Sequence, residues 1–431
     1  MNLLHKKMIS KLTLFLCLLP AIALGQNYTT FFTGNSTDMV TSPLGGVCLM
    51  GGASEDDNAM KWFLQRANGG DIIILRTSGS DGYNAYFYAT LGITVNSVET
   101  IVCNNASASS DPYILQKIQQ AEAIWFAGGN QWNYISYWRN TPVEEAINEA
   151  VNQRKIVIGG TSAGMAIQGK YYFSAQNGTI SSSAALGNPF NNQMTVDSTH
   201  FIENASLNNV ITDTHFDNPD RKGRLLTFLA RIQTDYGQDA KAIACDEYTA
   251  VCIDTNGLAR VFGGYPTYDD NAYFIQSNCE LENNYPENCT SGNPLTWNFG
   301  GLALKAYQIK GDATGSKTFD LTDWQTGIGG TWYNWSSSNG VLSEELGLPL
   351  NCNHASVQGI SDDFVVQISP NPFTNQLTQL NKSGEEFYIL MNYCGKVIWS
   401  GKDIEHHDFS HISNGGYFLK VKDQTIKLTK Q

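Results

Sequence analysis

Three apolar runs in this chain each end in a pair of glycines: Gly46-Val47-Cys48-Leu49-Met50-Gly51-Gly52, Ala123-Ile124-Trp125-Phe126-Ala127-Gly128-Gly129 and Ile156-Val157-Ile158-Gly159-Gly160. Two more apolar runs, Asp71–Leu75 and Val98–Cys103, lie between them. None alternates apolar with polar residues, so each predicts a strand covered on both faces. The intervening segments carry helix signals. Asp56 to Ala67 places Trp62, Phe63 and Leu64 near an apolar face, Asp111-Pro112 opens a helix through Gln120, and Pro142 opens another to Gln153. Strands of this kind alternating with helices predict an α/β domain with a mostly parallel sheet and helices on both faces. Ligands of such sheets sit beyond the carboxyl ends of the strands, where the glycine pairs fall. After Asp254 the sequence is richer in Gly, Asn, Tyr and Trp and suits antiparallel strands added at an edge.

The third run continues into Thr161-Ser162-Ala163-Gly164-Met165-Ala166. A strand, a serine among small residues and then helix formers is how a nucleophile elbow is written. The tight turn lifts the serine hydroxyl above the sheet, and the free N–H groups of the next helix favour negative charge there. An ordinary strand-to-helix turn with a capping serine has a similar string, so the rest of the chain decides.

A nucleophilic serine needs a base. Asp213-Thr214-His215-Phe216 closes a strand-like stretch and precedes Arg221-Lys222-Gly223-Arg224-Leu225-Leu226, which starts a helix. Ser198-Thr199-His200-Phe201 is a near copy, but nothing basic or helix-forming follows it. His354 lacks such a context, and His406, His407 and His411 belong to the distal tail. This favours His215 as the base. A carboxylate should then orient the imidazole. Asp246 and Glu247 end the apolar run Ala242–Cys245, and because neighbouring side chains on a strand point oppositely, only one of them can face the site.

Taken in order, Gly51-Gly52-Ala53 with Glu55-Asp56, Phe126-Ala127-Gly128-Gly129-Asn130-Gln131, Gly160-Thr161-Ser162-Ala163-Gly164, Asp213-Thr214-His215-Phe216 with Gly223-Arg224-Leu225, and Asp246-Glu247-Tyr248-Thr249-Ala250 resemble the cyanophycinase and aspartyl-dipeptidase family of serine peptidases. The resemblance spans about Gly46 to Leu321. It implies a flavodoxin-like fold of the class I glutamine-amidotransferase kind. It implies Ser162 as nucleophile, His215 as base and Glu247 as its orienting acid, with the Gly129 and Ala163 N–H groups as oxyanion hole. Gln131, Asp213, Arg221 and Arg224 are implied to contact a peptide substrate, and a homodimer is implied as the assembly. Departures bear on specificity. Thr214 stands where the family carries glutamine, and Asp217-Asn218-Pro219-Asp220 replaces the first part of a basic string. Hydrolysis of aspartyl peptides is the expectation, with β-aspartyl-arginine units of a cyanophycin-like polymer as leading substrate. An aspartyl dipeptidase of other specificity and a non-catalytic binding protein on the same fold stay open. A glutaminase of this fold would resemble a chain with cysteine at the elbow.

The ends carry addresses. Lys6, Lys7 and Lys11 precede a largely apolar Leu12–Leu24, and Ala23-Leu24-Gly25 offers a small-x-small cleavage site before Gln26. Residues 1–25 thus predict a secretory signal peptide rather than a transmembrane anchor. From Asp362 short strand-like runs separated by Asn, Gly and Ser predict a small C-terminal β-sandwich. Ser369-Pro370-Asn371-Pro372-Phe373, Gly415-x-Tyr417-x-Leu419-x-Val421 and Lys427-Leu428-x-Lys430 resemble the C-terminal sorting domain of the type IX secretion system. Residues 26–353 are then the peptidase-like domain and 362–431 the sorting domain. That resemblance implies the type IX machinery as partner and a secreted or surface-attached product.

Of nine cysteines, Cys17 lies in the leader. Cys279 and Cys289 share a polar, loop-like stretch and are expected to bridge, while Cys48, Cys245 and Cys252 in apolar runs read as buried thiols. No Cys-x-x-Cys spacing suggests a metal, and no cofactor motif is present. A formal charge of −13 argues against nucleic acid or anionic membrane as partner.

Overall fold

The computed structural model describes residues 27–352, 368–380, 386–392, 395–421 and 424–431. The leader (residues 1–25), His354 and the start of the tail at Asp362 lie outside the described residues. Contacts divide the chain into two compact units, up to Cys352 and from Asn353 onward.

The first unit begins with strands and helices in alternation. In chain order these are β1 (Tyr28–Gly34), β2 (Gly46–Met50), α1 (Asp57–Arg66), β3 (Asp71–Arg76), β4 (Ser97–Cys103), α2 (Pro112–Gln120), β5 (Ala123–Phe126), α3 (Gln131–Trp138), α4 (Pro142–Asn152), β6 (Val157–Thr161) and the one-turn α5 (Ala163–Ala166). Strands β4, β3, β5, β6 and β2 pair in that order, all parallel. The alternating side chains of each strand serve two cores. Ile73, Leu75, Ile124, Phe126 and Ile158 pack with Ile114, Ile118 and Ile147 of α2 and α4. Ile72, Ile74, Trp125 and Val157 pack on the other face with Met60, Phe63 and Leu64 of α1. This double covering explains the unbroken apolar runs. The Asp56 carboxylate caps α1 by accepting from the Asn58 and Ala59 N–H groups.

Downstream come β7 (Tyr172–Phe173), α6 (Ser182–Gly187), β8 (Val196–Asp197), β9 (Val210–Asp213), α7 (Lys222–Tyr236), β10 (Lys241–Cys245), β11 (Ala250–Ile253), β12 (Leu258–Phe262), β13 (Asn271–Ser277), β14 (Leu304–Lys310), β15 (Thr318–Asp320), β16 (Gly327–Ile328), β17 (Thr331–Ser338) and β18 (Val341–Leu346). β11, β12, β15 and β16 extend the first sheet antiparallel from β2, giving ten strands with β1 on the far edge. The other long strands form a six-stranded sheet, β18-β17-β14-β13-β10-β9, in which only the β9–β10 pair is parallel. One of its faces shares a core with the first sheet through Ile243, Cys245 and Phe274, and the other packs on Leu225, Phe228 and Leu229 of α7. The chain thus turns from one sheet to the other between the elbow and β9. Among the described residues no helix is long and apolar enough to cross a membrane.

Cys279 is bridged to Cys352, not to Cys289. Closeness in sequence loses here to the return of the chain after β18. The Asn351 N–H donates to Glu280 Oε1 (3.0 Å) and the Cys352 N–H to Gln325 Oε1 (2.6 Å), which seats Cys352 beside Cys279. Cys289 is buried instead in the α7 core with Leu295 and Trp297. Cys48, Cys245 and Cys252 are buried, as their apolar runs predict, and are unbridged in this structure.

In the second unit β21 (Tyr388–Asn392), β22 (Val397–Gly401), β23 (Gly415–Val421) and β24 (Gln424–Lys430) form an antiparallel sheet, and β19 (Ile368–Ser369) pairs with β20 (Thr378–Gln379). Phe373, Tyr388, Leu390, Phe409, Leu419 and Leu428 fill its core.

Candidate active site

β6 delivers Ser162 to the carboxyl end of the parallel sheet, and α5 leaves at once. Ser162 has φ 51° and ψ −115°, and its N–H donates to the Met50 carbonyl at 3.0 Å. A non-glycine residue held at positive φ stores strain that the surroundings must enforce. The glycines make the turn possible. A Cβ on Gly160 would lie 2.6 Å from the Gly164 carbonyl, and one on Gly164 would overlap the Phe126 carbonyl oxygen. Side chains at either position would force β6 and α5 away from β5.

His215 follows β9, and Glu247 follows β10, the parallel neighbour of β9. Ser162 Oγ lies 2.7 Å from His215 Nε2, and His215 Nδ1 lies 2.6 Å from Glu247 Oε1. With Nδ1–H donating to Glu247, Nε2 is free to accept the Ser162 O–H. Both side chains are partly buried, His215 at 24% and Glu247 at 18% exposure, so the pair is shielded from much of the bulk water while a substrate can still reach it. The His215 hydrogen bond holds the Glu247 carboxyl below its ordinary range against partial burial, and Asn218 adds to this.

The first glycine pair braces both residues. The His215 N–H donates to the Gly51 carbonyl (2.8 Å), and the Tyr248 N–H donates to the Gly52 carbonyl (3.1 Å). His215 and Tyr248 also hold positive φ, at 46° and 63°. The His215 ring lies so close over Gly52 that a Cβ there would overlap it. Sequence reasoning placed these glycines at a strand end without seeing that they seat the imidazole.

The choice between the two acids resolves by direction. Glu247 faces His215. Asp246 turns inward, 3% exposed, and its Oδ2 accepts from the Asn271 N–H and side-chain amide. Burial, with the nearby Asp217 charge, pushes the Asp246 carboxyl up to about 7 against the Asn271 hydrogen bonds. Asp217 and Asn218, at the start of the stretch that departs from the resembled family, buttress the acid. Asp217 Oδ1 accepts the Glu247 N–H (2.9 Å), and Asn218 Nδ2 donates to Glu247 Oε2 (3.3 Å). Nothing in the local sequence signals this, because their partner lies about thirty residues on.

The remaining residues divide. Gly129, at φ 148°, and Ala163 lie at the ends of β5 and β6, and among the described residues neither N–H has a backbone acceptor. The Gln131 amide donates to the Phe173 carbonyl at 3.4 Å. Arg221 is half-buried and donates to the Thr214 carbonyl (2.7 Å), beneath His215, and burial beside Arg224 pulls its pKa below the ordinary value. Asp213 and Arg224, expected to contact substrate, pair with each other in this structure. They are 2% and 3% exposed and form a bidentate ion pair with each other, so their charges are spent inside the protein.

His200 lies apart from this cluster. Its Nδ1 meets Glu144 Oε1 at 2.9 Å and its Nε2 meets Glu203 Oε1 at 2.5 Å. Burial works against its charge, and the two carboxylates outweigh it, so its pKa is raised. A raised pKa contributes stability that is present below the unfolded value of about 6.5 and lost as pH rises through the folded value. His200→Ala should therefore leave turnover within about twofold and lower the melting temperature more at about pH 5.5 than at about pH 8.5. Thermal melts at the two pH values check this.

Comparison with known proteins bears on the same segment. The model of Peptidase family S51 matches residues 75–258, which contain Ser162, His215 and Glu247. The cyanophycinase of Synechococcus elongatus is 26% identical over 227 residues, 51% of this chain and 66% of that protein. The cyanophycinase of Geminocystis herdmanii is 28% identical over 146 residues, 34% of this chain and 48% of that protein. The chain therefore spans about half to two thirds of the length of these relatives. A peptidase from an acI-B1 Actinobacterium is a structural neighbour with 16% identity and a TM-score of 0.39, covering 54% of this chain and 91% of that one.

Proposed function

We propose that this chain is an exported serine peptidase that hydrolyses aspartyl peptides through Ser162, His215 and Glu247. The observation that carries the reading is the continuous relay from Ser162 Oγ through the His215 ring to Glu247, on a strained elbow at the carboxyl end of a parallel sheet. Ser162 attacks the scissile carbonyl while His215 Nε2 takes its proton. The oxyanion that forms is met by the Gly129 and Ala163 N–H groups, which have no backbone acceptor among the described residues. His215 returns the proton to the leaving amine, and a water then releases the acyl group by the same route. Glu247 fixes the tautomer and stabilises the imidazolium. Glu247→Gln keeps the shape but removes the charge, and it should lower kcat by about 1,000-fold with little change in KM, read from steady-state kinetics.

A cyanophycin-like or β-aspartyl-arginine substrate is the leading candidate. Supporting it are the similarity to cyanophycinases and the acidic surface beside Tyr248, where Glu55, Asp56, Asp57 and Asp270 border a cavity of about 510 Å³. A field of that sign favours cationic over anionic peptides. The test is a panel of α- and β-aspartyl dipeptides with basic, neutral and acidic partners, together with insoluble cyanophycin, read by mass spectrometry. Preferential release from β-aspartyl-arginine is expected. Cleavage of α-aspartyl dipeptides alone would move the reading to a dipeptidase of other specificity. No cleavage and no labelling of Ser162 by a serine-reactive phosphonate would favour a binding protein.

Export is supported by the lysine-flanked apolar stretch before Gln26, by the tail motifs that resemble a type IX sorting domain, and by the Cys279–Cys352 disulfide. Protein recovered from medium or cell surface should begin near Gln26 and lack the tail. Intact chain confined to the cytoplasm would refute this.

A further inference from the structure

Cys48 and Cys252 face each other across the antiparallel β2–β11 ladder in register. Opposed residues on such a ladder alternate between hydrogen-bonded and non-hydrogen-bonded pairs. The Gly51 N–H donates to the Thr249 carbonyl, so the Gly51–Thr249 pair is of the bonded kind. Counting back, Met50–Ala250 is non-bonded, Leu49–Val251 bonded and Cys48–Cys252 non-bonded. In non-bonded pairs the Cα atoms approach to about 4.5 Å, inside the range a disulfide spans. The two sulfurs lie 3.6 Å apart, with both residues fully buried. A bond requires the sulfurs to close from there to about 2.0 Å.

Among the described cysteines, competing pairings are blocked by the direction of the side chains. Cys48 and Cys252 point into the core beneath α1. Cys103 and Cys245 point into the core on the opposite face of the sheet, and Cys289 lies in the α7 core. The Cys279–Cys352 bridge marks a chain that folds where disulfides persist.

We infer that Cys48 and Cys252 are the site of a second, cross-strand disulfide, formed as the sheet assembles in an oxidising compartment. One thiolate attacks the disulfide of an oxidant, either a dithiol oxidoreductase or a small-molecule disulfide, and gives a mixed disulfide. The second thiolate displaces the oxidant as its reduced thiol. The cysteines lose two electrons and two protons, and the oxidant's disulfide takes them up as two thiols. The step belongs to folding because a fully buried thiol is inert once the core has closed.

The bridge has a consequence for the site. β2 leads directly into Gly51 and Gly52, which hold the His215 and Tyr248 backbones, and β11 follows the turn that carries Glu247. A covalent tie between these strands fixes the base of the loops on either side of the His215–Glu247 pair. It closes a loop of 204 residues' separation, which restricts the unfolded chain strongly.

The test is a peptide map of the full chain refolded in a mixture of oxidised and reduced glutathione, denatured and alkylated without reductant. The expected map contains a Cys48–Cys252 linked peptide alongside Cys279–Cys352. Cys252→Ser should release Cys48 to alkylation and leave the Cys279–Cys352 link in place; should that variant not fold, the wild-type map decides alone. Alkylated Cys48 and Cys252 beside an intact Cys279–Cys352 link would overturn the inference, as would linkage of either residue to another cysteine. A map with neither link would overturn it too, since the inference assumes a chain that folds oxidised.

Discussion

Ser162→Ala is expected to lower turnover of any aspartyl substrate by at least about 10,000-fold while the protein melts within a few degrees of wild type. The loss is large because the bond-forming atom disappears and the rest of the relay then has nothing to activate. The fold should tolerate the change. Alanine occupies positive φ at much the same cost as serine, and the Ser162 N–H bond to Met50 is a backbone contact that survives. What is lost in the ground state is one hydrogen bond, to His215, at a partly exposed site. His215→Ala should cost about as much, and the double variant little more than either, because the two act as one unit. Additive losses would mean that Ser162 and His215 work independently, and the relay would have to be abandoned.

How far the sequence already told this depends on the range of each contact. Ser162 was legible because its constraint is local: the glycines and small residues that allow the turn stand within a few positions of it. His215 was separable from His200 for a similar reason, since the helix signal starting near Arg221 follows one Thr-His-Phe string and not the other. The alternation rule told that Asp246 and Glu247 must diverge, but not which way each points. The direction is set by Asn271, which takes Asp246, and by Asn218, which takes Glu247. The parallel core was equally local, written in runs buried on both faces. The six-stranded second sheet was not, because several of its strands mix polar with apolar residues and their order is set by long-range pairing. Cys279 shows the limit. Its polar loop suggested Cys289, ten residues on, yet its partner is Cys352, at a separation of 73.

The second large effect concerns stability. Arg224→Met should destabilise the protein by about 3–5 kcal/mol, because it leaves the Asp213 carboxylate buried without a countercharge. Arg224 Nε donates to Asp213 Oδ2 at 2.9 Å, and Nη2 pairs with Oδ1. Nη1 reaches Thr179 Oγ1 at 3.1 Å, and the guanidinium lies over the rings of Phe173 and Phe228 at 5.3 and 5.7 Å. Methionine keeps much of the apolar stem against those rings, so the missing charge dominates the loss. Adding Asp213→Leu should then recover part of it, since two apolar groups of similar volume remove the unpaired ion, although the Thr214 N–H loses its acceptor. Denaturant unfolding of the two singles and the double closes the cycle. Kinetics separate this from the substrate contact that the family resemblance implies. If the pair is structural, Arg224→Met measured well below its melting temperature keeps KM within about threefold of wild type. A large rise in KM with stability unchanged would mean that the pair opens to meet the substrate.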